Sequence, residues 1–154
     1  MFRTMFVVVV LLVCLCVSAF AGIGGSGLSL GVLSANGSSN LFMNTTLVFQ
    51  SQQASNLTFS LGWGSFTEDG RDDLQVYPLM LNIESKPTSF YFGGGAGLLA
   101  RESAEDSIFD QKLHSEFGYQ VFGGLRLSSN LFLEGKMIGS SGLTMYAVTI
   151  GSRM

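Results

Sequence analysis

Three side chains able to run acyl transfer stand in a row at His114-Ser115-Glu116: a base, a nucleophile and a carboxylate. A serine hydrolase needs these types within hydrogen-bond reach, the imidazole taking the hydroxyl proton while the carboxylate orients the ring. Adjacency in an extended segment sends neighbouring side chains to opposite faces, so His114 and Ser115 are badly placed to share a proton. A second pattern, Gly22-Ile23-Gly24-Gly25-Ser26-Gly27, has the GxGxxG spacing of a dinucleotide loop. That loop works only between a strand and a helix N-terminus, and neither flank is present in the sequence pattern. The glycines at 93, 94, 95 and 97 fall inside a strand pattern, where they let a narrow sheet bend and make room for neighbouring side chains. No catalytic, cofactor-binding or metal-binding residue is therefore assigned.

What remains is a set of ionisable residues on one face of alternating segments. From about residue 27 the chain reads as eight strands: 27–34, 41–51, 57–67, 74–85, 90–102, 116–128, 131–139 and 144–154. The third shows the pattern most plainly, with Leu57, Phe59, Leu61 and Trp63 against Thr58, Ser60, Gly62 and Gly64. Turn residues separate the strands, among them Asn36 to Asn40, and charged loops are expected at Glu68 to Asp73 and Ser103 to Ser115. A strand of about ten residues, rising about 3.3 Å each and tilted about 45°, spans roughly 23 Å, close to the apolar band of a membrane barrel.

The pattern predicts an all-β fold, an eight-stranded antiparallel up-and-down transmembrane β-barrel with its apolar face outward. Inward then come Glu84, Arg101, Glu116, Arg126, Glu134, Lys136 and Arg153. Buried charges persist when paired, so these seven are expected to form a lumen charge network in a barrel filled by side chains. A narrow conduction path is the functional alternative. Trp63, Tyr77, Tyr119 and Tyr146 are expected outside as an aromatic girdle near the external strand ends. Pro78 cannot donate to a ladder, so a bulge is expected there.

The first residues have the form of an export signal: Arg3, an apolar core from Met5 to Val17, and the small-x-small site Ala19-Phe20-Ala21. Residues 1–21 are read as a signal peptide and 22–154 as the barrel domain. Cys14 and Cys16, the only cysteines, lie in the leader, so the exported chain has no disulfide to lean on. Hydrophobic residues make up 47% and charged ones 12%, with mean hydropathy +0.39, an unusually apolar balance for a secreted domain. A formal charge of -3 and no basic stripe exclude nucleic acid as a partner.

Leu74 to Asn82, then Tyr91-Phe92-Gly93-Gly94-Gly95-Ala96-Gly97-Leu98 and Gly118 to Arg126, resemble paired strands of small bacterial outer-membrane β-barrel proteins of the OmpA/OmpX-like, porin-family kind. Such proteins finish on an aromatic residue, whereas this sequence finishes on Met154. The resemblance implies the bacterial outer membrane as location, membrane lipid and the barrel-assembly machinery as partners, and an extracellular ligand held by the loops. It brings no cofactor and no reaction, so the expected role is structural or surface interaction. Two other classes stand beside it: a lipid A-modifying esterase built on His114, Ser115 and Glu116, and a soluble lipocalin-like ligand-binding barrel with its faces reversed.

Overall fold

Alternating apolar and small or polar residues favour extended pairing, because a pleated strand sends successive side chains to opposite faces. The computed structural model describes residues 24–49, 55–68, 71–85, 88–103 and 112–154. The expected leader lies outside these residues. Eight strands follow in chain order: β1 (Gly25–Ala35), β2 (Ser38–Phe49), β3 (Ser55–Glu68), β4 (Arg71–Ser85), β5 (Phe90–Ser103), β6 (Lys112–Arg126), β7 (Leu131–Ser140) and β8 (Thr144–Arg153). Each pairs antiparallel with its sequence neighbours, and β8 returns to β1, so the sheet closes into an up-and-down barrel. At the seam Gly27 stands opposite Arg153, while Ser26 and Met154 exchange N–H···O bonds of 3.0 and 2.8 Å.

The first reversal is tighter than expected. Asn36 and Gly37 have φ of 49° and 81°, the left-handed pair of a two-residue type I′ turn, whose twist matches the flanking strands. Ser38 to Asn40 consequently belong to β2. The charged stretches also differ from the expected loops, since β3 runs to Glu68, β4 starts at Arg71, β5 runs to Ser103 and β6 starts at Lys112. A backbone ladder satisfies N–H and C=O groups whatever the side-chain polarity, so polar stretches can extend a hairpin. Past Gly64, β3 is paired with β4 alone, and before Gly118, β6 is paired with β5 alone. Two hairpins thus rise together beyond the rim as a four-stranded wall; its six-residue edge at 112–117 reaches about 20 Å along the strand.

No bulge marks Pro78. Leu61 faces Leu79 and Gly64 faces Val76 in one register, with pairing lapsing only between them. Gly62 has no side chain to oppose the proline ring, and a Cβ added there would come within 2.8 Å of Pro78 Cγ. The ladder opens instead of bulging, and the register shift falls between Phe66 and Glu68.

The faces sort as membrane barrels require and opposite to a soluble ligand carrier. Leu30, Ile83, Phe92, Phe117, Val121, Val148 and Ile150 point outward and are between 46% and 70% exposed. Inward come Ser29, Asn44, Thr46, Thr58, Ser60, Asn82, Gln120 and Thr149, all buried.

Candidate functional site: the filled lumen

The interior divides along the barrel axis. Toward the end where β1 starts and β8 finishes, here the terminal end, the lumen is polar and charged. Arg153 on β8 forks onto Glu84 of β4, with Nη2 2.9 Å from Oε2 and Nη1 bonded to Oε1. The same Nη2 lies 3.6 Å from Glu134 Oε2 on β7. Glu134 also takes Lys136 Nζ at 2.8 Å on one oxygen and the Tyr91 hydroxyl at 2.9 Å on the other. Two carboxylates thus meet two cations, and their net charge cancels.

Aromatic rings from three strands complete this cluster. The Arg153 guanidinium sits 4.7 Å from the Tyr91 ring and 5.0 Å from Phe132, while Lys136 Nζ is 5.6 Å from Phe122. Such cation–π contacts strengthen where water is excluded. Tyr91 reaches its position only because residue 124 is glycine: a Cβ there would lie 2.4 Å from the tyrosine Cζ and hydroxyl oxygen. Next to the charges, amides link β3, β4 and β6 across the lumen. Asn82 donates to Thr58 Oγ1 at 3.3 Å and Ser60 Oγ at 3.2 Å, and Gln120 donates to Asn82 Oδ1 at 2.5 Å. The space left among these residues is a cavity of about 10 Å³, at the lower limit for a single water.

Toward the distal end the lumen is apolar. Leu33, Phe42, Phe66, Val76, Met80, Leu99, Ile138, Leu143 and Met145 form one buried cluster, each at most 3% exposed. Leu143 belongs to the turn between β7 and β8, so that turn tucks over the mouth. Strand alternation predicts small or polar residues on this side, and the structure has an apolar lining instead. Its signal was the run of apolar neighbours in Val32-Leu33, Leu41-Phe42-Met43, Leu98-Leu99 and Met137-Ile138. In such runs one residue meets the outside and the next fills the core.

The seven expected lumen charges therefore fall into three places. Glu84, Glu134, Lys136 and Arg153 meet in the terminal half. Arg101 and Glu116 pair with each other near the distal rim, where Ser141 Oγ donates to the carboxylate at 3.0 Å. Arg126 stands apart, which corrects its expected membership of the network. It occupies the last β6–β7 pair, opposite Phe132, and its backbone N–H donates to Ser89 O at 2.9 Å. The barrel opens to solvent at that level, so its side chain is exposed and lines a groove of about 470 Å³ with Thr88, Ser89 and Ser128.

On the outer wall Trp63, Tyr77, Tyr119 and Tyr146 share the outward register, the last two exposed and the first two half-exposed. His114 and Ser115 are successive residues of extended β6, opposite Arg101 and Ala100, and both are exposed. Glu116 is engaged by Arg101 and Ser141. The three do not form a proton relay. Among the described residues no group of three or more potential ligands is placed to hold a metal ion.

No family model and no curated protein matches the chain. Solved structures do. The outer membrane protein Ail of Yersinia pestis in a phospholipid bilayer nanodisc matches with TM-score 0.59 at 13% identity, covering 85% of this chain and 99% of that one. The N-terminal β-barrel domain of Pseudomonas aeruginosa OprF matches with TM-score 0.57 at 11% identity, covering 87% and 100%. Ail in complex with the heparin analogue sucrose octasulfate gives TM-score 0.50 at 14% identity, covering 84% and 95%. The chain has the fold of small eight-stranded outer-membrane β-barrels.

Proposed function

We propose that this chain is an integral protein of a bacterial outer membrane whose sealed barrel performs no reaction and holds the β3–β4 and β5–β6 hairpins out for surface contacts. The observation that carries the reading is the outward apolar belt, to which all eight strands contribute and which only lipid can cover at this extent. The lumen supports a scaffold over a channel, because an apolar plug backs a charge cluster with almost no free volume. With the leader read as a signal peptide and the termini on the periplasmic side, the distal wall faces outward, and membrane lipid and the barrel-assembly machinery are its partners.

The projecting hairpins set the class of ligand. Residues 67–73 hold Glu68, Asp69, Asp72 and Asp73 against Arg71, and residues 102–112 hold Glu102, Glu105, Asp106 and Asp110 against Lys112. That balance disfavours a polysulfated ligand such as the one bound by Ail and favours cationic partners or divalent ions. Planar-bilayer recordings test the sealed scaffold. Wild type and the double variant Glu134→Gln/Lys136→Met are expected to leave current at the empty-membrane baseline; stepwise openings in either would overturn the reading.

A further inference from the structure

A hydrogen-bonded cluster lies on the outer wall at the base of the two hairpins and takes no part in the lumen. Trp63 on β3, Gln75 and Tyr77 on β4 and Glu102 on β5 lie at the distal edge of the apolar belt in the outward register, with Gln75 directly opposite Glu102. The Trp63 indole N–H donates to Gln75 Oε1 at 3.3 Å. The Tyr77 hydroxyl lies 2.7 Å from that same oxygen and 3.1 Å from Glu102 Oε2.

Donor and acceptor counting gives the cluster a direction. An indole N–H can only donate, so it fixes the Gln75 carboxamide with its oxygen toward Trp63 and its NH₂ away. Those two N–H donors have no partner among the described residues. Glu102 has no described cation either, since neighbouring Arg101 turns inward to Glu116. Tyr77 has one proton for two acceptors, so the carboxylate keeps spare lone pairs. The result is a half-exposed pair of amide donors beside an acceptor, framed by two aromatic side chains and fixed in place by their hydrogen bonds.

We propose that this cluster binds the vicinal hydroxyls of a neutral sugar. Each hydroxyl both donates and accepts, so one can take an amide N–H while its neighbour donates to the Glu102 carboxylate, and the apolar C–H face of the ring can pack against an aromatic side chain. The four residues include no cation, so sulfate or phosphate is not the recognised group. The sugar can be a lipid headgroup or a free saccharide. The site rests on the membrane reading, which puts the distal edge of the belt at headgroup depth.

Trp63 is the only tryptophan, so its emission reports the cluster directly. The full chain would be inserted into phosphatidylcholine vesicles with and without monoglucosyl diacylglycerol, and separately titrated with methyl glucoside in detergent. A saturable shift with the glycolipid supports a lipid-borne sugar, and one with the free glucoside supports a soluble one. Either response should weaken at least tenfold in Gln75→Leu and in Glu102→Ala, with insertion and the heat-dependent gel mobility of the folded barrel retained. Inserted protein that answers neither sugar, variants that respond like wild type, or a shift produced by magnesium chloride alone would each overturn the sugar site while leaving the membrane reading standing. Failure to insert would overturn both.

Discussion

Replacing Arg153 with methionine puts the lumen account at risk. The substitution keeps most of the stem volume and removes the cation that forks onto Glu84, a residue 1% exposed. Glu84 then has no described cation partner, while Glu134 keeps Lys136 at 2.8 Å and Tyr91 at 2.9 Å. Removing one partner of a buried pair costs about 3–5 kcal/mol, because the remaining charge stays buried, whereas a surface pair is worth about 0–1 kcal/mol. With a urea dependence of about 2 kcal/mol per molar, the unfolding midpoint of Arg153→Met should fall by about 1.5–2.5 M. Leucine at 84 in the same chain removes the stranded carboxylate, and the double variant should return to within about 1 kcal/mol of wild type. Reversible urea unfolding in neutral vesicles, followed by Trp63 emission, measures all three differences. A loss below about 1 kcal/mol in Arg153→Met, or a double variant as unstable as the summed singles, would mean that Arg153 does not hold the Glu84 charge in the lumen.

Two further substitutions probe the packing on either side of that cluster. Gly124→Ala forces Tyr91 off Glu134, at a cost of about 1–3 kcal/mol that should vanish in a Tyr91→Ala background, as a double-mutant cycle of unfolding energies would show. Phe42→Ala empties part of the distal plug where the ring lies over Gly62 and Gly64, and should lower unfolding stability by about 3–5 kcal/mol.

Strand number and facing were legible because one physical rule generated both: the period of two that carries apolar residues to one side. Leu57 to Gly64 obey it without exception. The rule lost its hold where both sides of the wall became apolar, as at Leu98-Leu99, because alternation cannot say that a core lies on one side and lipid on the other. Charge was readable as inward, yet depth along the axis was not. Arg126 and Arg153 share the inward parity, and only the strand stagger puts one at an open mouth and the other between Tyr91 and Phe132. Loop ends were the weakest reading, since residues such as Glu68 and Arg71 look like loop by composition and are paired by the ladder. The Trp63–Gln75–Glu102 cluster spans three strands, so register alone assembles it.

An apolar face turned to lipid on all eight strands places this barrel in an outer membrane, where fractionation can find it. Cells expressing the full-length gene would be fractionated, and detergent-extracted membranes run on a gel with and without heating. Recovery with the outer membrane and a heat-dependent mobility shift is the result expected. A soluble periplasmic product whose mobility ignores heating would contradict it.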